Sequence, residues 1–336
     1  MNFWHKRKVL ITGATGLLGS SLTGELLNRN ATVVCLLRDS DPASRFFRDG
    51  LFERVTRISG MLEDYTLVLR ALNEHEINTV FHLGAQTIVG TAARSPLSTF
   101  ESNIKGTWTL LEACRQLPGQ VERIVVASSD KAYGCYKNLP YTEETPLAGS
   151  FPYDVSKSCA DLISLSYFQT YKLPVAVTRC GNLFGAGDLN FSRLIPGTIR
   201  SVLENQAPVI RSDGQFIRDY FYVRDAAEAY LKLAERMPDR AATGEAFNFG
   251  NETPTSVIEM VQRILHLMNA GHLKPVILNQ ASNEIRKQYL DCSKARRALN
   301  WAPRYELDTA LRETIAWYEV ELSFDSGRAL TEAARL

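Results

Sequence analysis

Val9-Leu10-Ile11-Thr12-Gly13-Ala14-Thr15-Gly16-Leu17-Leu18-Gly19 opens as an apolar run, turns on three glycines and enters the helical pattern Ser21-Leu22-Thr23-Gly24-Glu25-Leu26-Leu27. A strand that turns sharply into a helix leaves unpaired backbone N–H groups at the helix start, and these attract phosphate. Gly13 permits the tight turn, Gly16 lets the backbone approach a pyrophosphate, and Gly19 allows helix and strand to pack closely. The spacing is G-x-x-G-x-x-G, one residue longer than the form usual in dinucleotide folds. Glycine triples also make purely structural turns, but a position between a buried-type strand and a helix favours the phosphate cradle.

Outward from that turn, strand-like and helix-like stretches alternate. The strand candidates are 9–12, 32–37, 55–58, 79–84, 122–128 and 174–179, with amphipathic segments at 65–74, 99–116 and 156–171 between them. This alternation predicts an α/β fold, a Rossmann-type doubly wound parallel sheet with helices on both faces. Ligands of such sheets bind beyond the carboxyl ends of the strands. After residue 185 the texture changes: a loop at Gly185–Asn190, a helix over 193–204, an extended Val209-Ile210, and breakers at Pro254, Gly271 and Pro303. The expectation is a dinucleotide-binding unit over 1–180 and a smaller C-terminal α/β substrate-binding region over 181–330, partly interleaved with the first.

The 336 residues carry a net charge of +1 with 22% charged side chains, which points to neither nucleic acid nor a membrane surface. The segment Met1–Lys8 lacks the apolar centre of a signal peptide, and no apolar run approaches membrane-spanning length. Six scattered cysteines without C-x-x-C spacing read as buried thiols in a reducing cytosol, with no metal site. A cytoplasmic location is expected.

Two further patterns carry chemistry. After the second strand, an NAD-selective site usually offers Asp or Glu to the ribose, whereas this chain reads Leu37-Arg38-Asp39. A guanidinium pairs bidentately with a 2′-phosphate, so Arg38 tilts the expectation toward NADP, although an arginine lying flat on adenine also suits NAD. In Tyr153-Asp154-Val155-Ser156-Lys157, Tyr153 and Lys157 share one helical face, and an ammonium beside a phenol favours the phenolate. Ser128-Ser129-Asp130-Lys131 follows directly on the apolar Ile124-Val125-Val126-Ala127, at a strand's carboxyl end. Ser129 is placed to hydrogen-bond the substrate oxygen that Tyr153 deprotonates, with Asp130 and Lys131 as acid and base on neighbouring carbons. The plain alternative for Asp130 and Lys131 is a loop ion pair.

These residues bring the chain to a resemblance. It is similar to the extended short-chain dehydrogenase/reductases of the nucleotide-sugar epimerase and 4,6-dehydratase group over about residues 7–320. The similarity rests on Gly13/Gly16/Gly19, Phe81-His82-Leu83-Gly84-Ala85-Gln86, Asn103 with Gly106-Thr107, Ser129, Tyr153/Lys157 and Arg179-Cys180-Gly181-Asn182. It extends to Arg218-Asp219-Tyr220-Phe221-Tyr222-Val223-Arg224-Asp225 and Phe247-Asn248-Phe249-Gly250.

The resemblance implies a bound NADP or NAD, contacted by Gly13, Thr15, Gly16, Leu17, Leu18, Gly19, Arg38, Met61, Leu62, Leu83, Gly84, Ala85, Gln86, Asn103, Tyr153 and Lys157. It implies a nucleoside-diphosphate sugar held by Ser129, Asn182, Arg193, Arg218 and Arg286, and a homodimer paired through the helices near 99–116 and 156–171. Tyr153 then takes the proton of the C4 hydroxyl during oxidation. The Asp130-Lys131 pair resembles that of CDP-glucose and inverting UDP-GlcNAc 4,6-dehydratases, so Asp130 is expected as the acid at C6 and Lys131 as the base at C5. Leu37-Arg38 is closer to the NADP-using GDP-mannose dehydratases. A 4-epimerase on the same substrate class is the second reading, and a non-catalytic binding module the third.

Overall fold

The computed structural model of the chain describes residues 2–237, 241–281 and 284–333, with side chains as far as residue 322. The strands are β1 (Lys8–Thr12), β2 (Thr32–Leu37), β3 (Thr56–Ser59), β4 (Thr79–His82), β5 (Arg123–Ala127), β6 (Val175–Cys180), β7 (Asn182–Phe184), β8 (Val209–Ile210), β9 (Ile217–Tyr222), β10 (Ala246–Phe249), β11 (Pro254–Ser256) and β12 (Val276–Ile277). Seven of them form one sheet in the order β10-β6-β5-β4-β1-β2-β3, every pairing parallel. The chain winds outward in one direction from β1 through β2 and β3, then restarts at β4 on the other side. The reversal between β1 and β4 opens a crevice at their carboxyl ends.

The parallel sheet is buried on both faces, as its near-continuous apolar strands require. Side chains alternate across β1: Val9 and Ile11 enter one core with Leu22, Leu26 and Tyr230. Leu10 enters the other with Val68, Leu72, Leu110 and Leu111. The sequence-based strands fall within two residues of those observed, and the helix read at 65–74 is Tyr65–Glu74. The helix read at 99–116 is built differently. It runs from Pro96 to Arg115, with a wide π turn over Glu101–Lys105 that displaces Asn103 from the regular ladder.

The chain beyond residue 181 does two things. Helix Val223–Arg236 and strand β10 return to the large sheet, the helix packing beside Leu17–Asn28, with Arg29 bonding Glu228 at 2.6 Å across the gap. The remainder builds a small sheet of order β11-β9-β7 and the pair β8/β12, with helices Leu194–Leu203 and Val257–Leu267 packed together. This second layer overhangs the carboxyl edge of the large sheet.

Asp161 and Arg179 lock the helix Pro152–Tyr171 onto β6. The carboxylate is fully buried and accepts from Arg179 Nε and Nη2, at 2.8 and 2.9 Å. The same guanidinium donates to Tyr133 Oη and Glu143 O, each at 3.0 Å. Removing the anion strands a buried cation, so Asp161→Ala should lower unfolding stability by roughly 3–5 kcal/mol in chemical denaturation. A change below about 0.5 kcal/mol would show that the pair does not anchor the helix.

Candidate active site

The carboxyl ends of β1, β2, β4, β5 and β6 open into a single cleft of about 1430 Å³, roofed by the second layer. On the sheet side it is lined by Gly13, Thr15, Gly16, Leu17, Leu18, Gly19, Arg38, Leu62, Leu83, Gly84 and Ala85. Ser129, Asp130, Lys131, Tyr153 and Lys157 follow along the same wall, and Asn182, Arg193 and Arg218 face them.

Four residues singled out in the sequence lie outside this lining. Met61 is 53% exposed. Gln86 and Asn103 stand behind the wall, where Asn103 Oδ1 accepts the Gln86 N–H at 2.7 Å and its amide donates to Gln86 O at 3.0 Å. Arg286 is exposed and bonded to Asp213.

The glycine turn fits an anionic ligand. Gly13 adopts φ +76°, and a Cβ there would come within 2.8 Å of Gly84 N. A Cβ on Gly19 would sit 2.0 Å from Gly13 O, so helix and turn touch backbone to backbone. At Gly16 the nearest atom to an added Cβ is Gly13 O at 3.4 Å, leaving this position open to the cleft. The helix Leu17–Asn28 starts there without a side-chain cap. Bare backbone, open space and a helix start make a cradle that suits a pyrophosphate. Arg38, at the rim beyond β2, bonds its neighbour Asp39 at 2.5 Å.

Behind the cleft runs a directional chain of buried hydrogen bonds. Thr107 donates its hydroxyl to Asn103 O at 2.6 Å, so at 3.0 Å it accepts from His82 Nε2–H. His82 Nδ1 is then the acceptor for Thr12 Oγ1, 2.8 Å away, and Thr12 in turn accepts the Gly84 N–H at 3.0 Å. Burial, and then the charge of Lys157, hold the imidazole neutral down to about pH 3. From Asn103 the chain continues to Ser156 Oγ at 2.9 Å and from Ser156 to Tyr153 O at 2.7 Å. The glycine turn and the helix bearing Tyr153 are thereby held in one frame.

Ser129 caps the short turn Asp130–Tyr133, its Oγ accepting the Lys131 N–H at 3.2 Å and donating to Asp130 Oδ1 at 3.0 Å. Tyr153 lines the same wall of the cleft as Ser129. Burial pushes the Tyr153 phenol up to about 12. The Ser129 hydroxyl and the Arg193 guanidinium draw it down, while Asp130 and Asp154 oppose them. Lys157 Nζ bonds Ala127 O at 2.7 Å, so the lysine is anchored to the end of β5. Burial raises the Asp130 carboxyl and lowers the Lys131 amine, and the neighbouring Arg218 favours the charged acid and the neutral amine. Both shifts move the pair toward the protonation states that acid–base work needs.

Two acidic residues given no role from the sequence also belong to this cluster. Asp154, 3% exposed, lines the cleft next to Tyr153, and burial lifts its carboxyl to about 6. Glu284 lines the opposite wall and lies 3.5 Å from Arg218. The adjacency of Asp154 to Tyr153 was the available signal for the first. Glu284 had none, because the fold alone brings it across the cleft.

Burial lowers the Lys157 amine to about 8 from the usual 10.5, which costs roughly 3 kcal/mol at neutral pH. The unfolded chain binds more protons than the folded one between those values, so this group makes stability rise with pH from about 8 to 10.5. Denaturation of the wild type and Lys157→Met across that range should show the rise in the wild type alone. Parallel curves would mean that Lys157 is solvated.

A sequence model of the GDP-mannose 4,6 dehydratase family matches residues 10–314. The chain is 30% identical over 343 residues to the CDP-glucose 4,6-dehydratase of Salmonella typhimurium, covering 95% of this chain and 92% of that protein. Its fold is similar to that of the dTDP-glucose 4,6-dehydratase of Bacillus anthracis in complex with NAD, with TM-score 0.83, 26% identity and coverage of 93% and 96% of the two chains. It is also similar to an epimerase of Methanothermobacter thermautotrophicus, with TM-score 0.87, 27% identity and coverage of 96% and 95%. With a match over most of its length and the glycine turn, tyrosine and lysine gathered at one cleft, this chain belongs to the GDP-mannose 4,6-dehydratase family.

Proposed function

We propose that the chain is a nucleotide-sugar 4,6-dehydratase that converts an NDP-hexose into an NDP-4-keto-6-deoxyhexose. The observation that supports this most is the pair of a buried Asp130 and a half-buried Lys131, lining the cleft with Tyr153 and Ser129. Asp130 is 2% exposed, and its Oδ2 has no hydrogen-bond partner among the described residues. An unpartnered buried carboxyl is costly, and C4 oxidation alone does not need it. A 4-epimerase requires only the Tyr153 group, so the acid–base pair favours elimination. The CDP-glucose and dTDP-glucose dehydratases among the relatives favour the same reading.

A nicotinamide bound in this cleft would supply the hydride chemistry at the sugar carbons. The cradle Gly13–Gly19 would hold its pyrophosphate, with Leu62, Leu83, Gly84 and Ala85 along its path and Lys157 near its reactive end. The Bacillus anthracis relative binds NAD. Arg38 keeps NADP open, since its guanidinium stands at the rim where a 2′-phosphate would lie.

Tyr153 receives the O4 proton, with Ser129 hydrogen-bonding the same oxygen. A keto group at C4 acidifies the C5 hydrogen, which Lys131 removes while Asp130 protonates the departing C6 oxygen. Arg193, paired with Asp188 at 3.0 Å, and Arg218 would hold the substrate diphosphate, and Asn182 in the same lining would contact the sugar. Arg286 would join them only at the exposed rim.

The working form is a homodimer in the cytoplasm. Trp108 and Leu162, on the two packed helices Gly106–Arg115 and Pro152–Tyr171, are 44% and 57% exposed, and Leu97 beside them is 71% exposed. Such a face suits a second copy. All six cysteines are free thiols, and no helix among the described residues is long and apolar enough to cross a membrane. Sedimentation should give a dimer that Leu162→Arg converts to monomer; a monomeric wild type would exclude this pairing.

Incubation with CDP-, UDP-, GDP- and dTDP-hexoses, followed by mass, should show one of them losing one water. Asp130→Asn and Lys131→Ala should each slow that loss by ~10²–10⁴-fold. Both should still reduce bound nicotinamide, which would then accumulate in its reduced form. An isomer of unchanged mass would establish the epimerase instead.

A further inference from the structure

Two loops from different layers of the fold meet across the cleft. From the large sheet, the chain leaves β2 through Arg38, Asp41 and Ser44, which line the cleft, and enters the short helix Arg45–Arg48. From the second layer, β7 ends in the loop 185–193, of which Gly187, Asp188 and Phe191 line the other side. The two touch at Gly187 and Arg45. A Cβ on Gly187 would lie 2.4 Å from Arg45 Cδ, and its φ of +94° is one that other residues avoid. Asp49 steadies the arginine, accepting from its Nε and Nη2 at 2.9 and 2.6 Å.

The C-terminal helix Leu307–Ala333 holds both loops from behind. Tyr318, fully buried, donates its hydroxyl to Asp188 O at 2.5 Å and sets its ring 6.0 Å from that of Phe191. Three residues on, the buried Glu321 pairs with Arg48 of the short helix. Residues three apart share a helical face, so one face grips both loops. Asp188 stiffens its own loop, with Oδ1 accepting the Asn190 N–H at 3.1 Å and Oδ2 pairing with Arg193 at 3.0 Å.

We infer that these loops form a clasp that retains the nicotinamide dinucleotide through the turnover, with the C-terminal helix as its brace. The glycine cradle and Lys157 line the same cleft on the sheet side of the bridge. A dinucleotide reaching from one to the other would pass inside the bridge, and would leave only when Gly187 and Arg45 part. The need for retention is chemical. The proposed reaction returns its cofactor to the starting state once per turnover, and a dinucleotide lost midway would strand a sugar oxidised at C4. The inference rests on that reading, in the one respect that dehydratase and epimerase share.

Dinucleotide exchange tests the clasp. Protein loaded with NADH or NADPH is chased with excess NAD or NADP, and the fall in bound nicotinamide fluorescence gives the exit rate. Mixing the emptied protein with the reduced dinucleotide gives the entry rate. Wild type should lose its dinucleotide more slowly than it turns over. Arg45→Ala should speed exit by ~10-fold or more, and Tyr318→Phe, which loses one hydrogen bond, by about 3–10-fold. Entry should speed up as well, so that Kd moves less than either rate, because the clasp closes without a ligand. Neither side chain lines the cleft, so the first turnover of loaded protein should keep the wild-type rate. Unchanged exit in both variants would overturn the clasp. Faster exit with unchanged entry would mark an ordinary contact and overturn it too, as would a wild type that exchanges faster than it turns over. A wild type that binds neither dinucleotide would overturn the nicotinamide reading and the clasp with it. A wild type that transforms no NDP-hexose would overturn the dehydratase reading alone, since the variants' exchange rates are read without substrate.

Discussion

The site depends on a buried hydrogen-bond chain that fixes where the glycine turn lies relative to the helix carrying Tyr153. Gly84 N–H, Thr12, His82, Thr107, Asn103 and Ser156 form it without a break, ending on the Tyr153 carbonyl. Each hydroxyl both gives and takes a hydrogen bond, so the chain has a single consistent direction. That direction requires a neutral His82 with its proton on Nε2, and burial keeps the ring neutral. A hydride acceptor held at the turn and a base held on the helix must stay in register to within a fraction of an ångström for transfer. The π turn at 101–105 serves this frame by placing Asn103 where it holds both the Gln86 backbone and Ser156.

Burial then sets the chemistry. The cleft strips water from a phenol, an acid and two amines at once, moving each away from its ordinary protonation. Their shifts differ because their neighbours differ. Arg218 lies near Asp130 and Lys131, Arg193 near Tyr153, and Lys157 is tied to the end of β5. One fold edge thus gathers a phenol, a carboxyl and two amines without any metal-ligating cluster among the described residues.

Much of this was legible in the sequence. The parallel sheet followed from alternation, since strands buried on both faces are continuous apolar runs of the right length. Glycine roles at 13, 16 and 19 were readable because each answers a local steric demand. Tyr153 and Lys157 were readable through helical spacing, but the lysine's bond to Ala127 O was not, because β5 is far away in the chain. The proton-ordered chain was equally hidden: His82 and Thr12 are ordinary strand-end residues until two loops meet over them. Asn103, read as a cofactor contact, stands one layer back, where the π turn puts it. Arg286 carried a motif in the sequence, yet its partner Asp213 holds it at the surface. Long side chains at loop ends are positioned by tertiary charge, which no local pattern encodes.

The central claim is that hydrogen leaves C4 and returns to C6 of the same sugar while water is lost between them. Substrate carrying deuterium at C4 tests it directly, with the product examined by mass and NMR. Deuterium in the C6 methyl group of a 4-keto sugar that has lost one water is the result this account predicts. Deuterium remaining at C4 of an isomer, or lost to solvent, would contradict it.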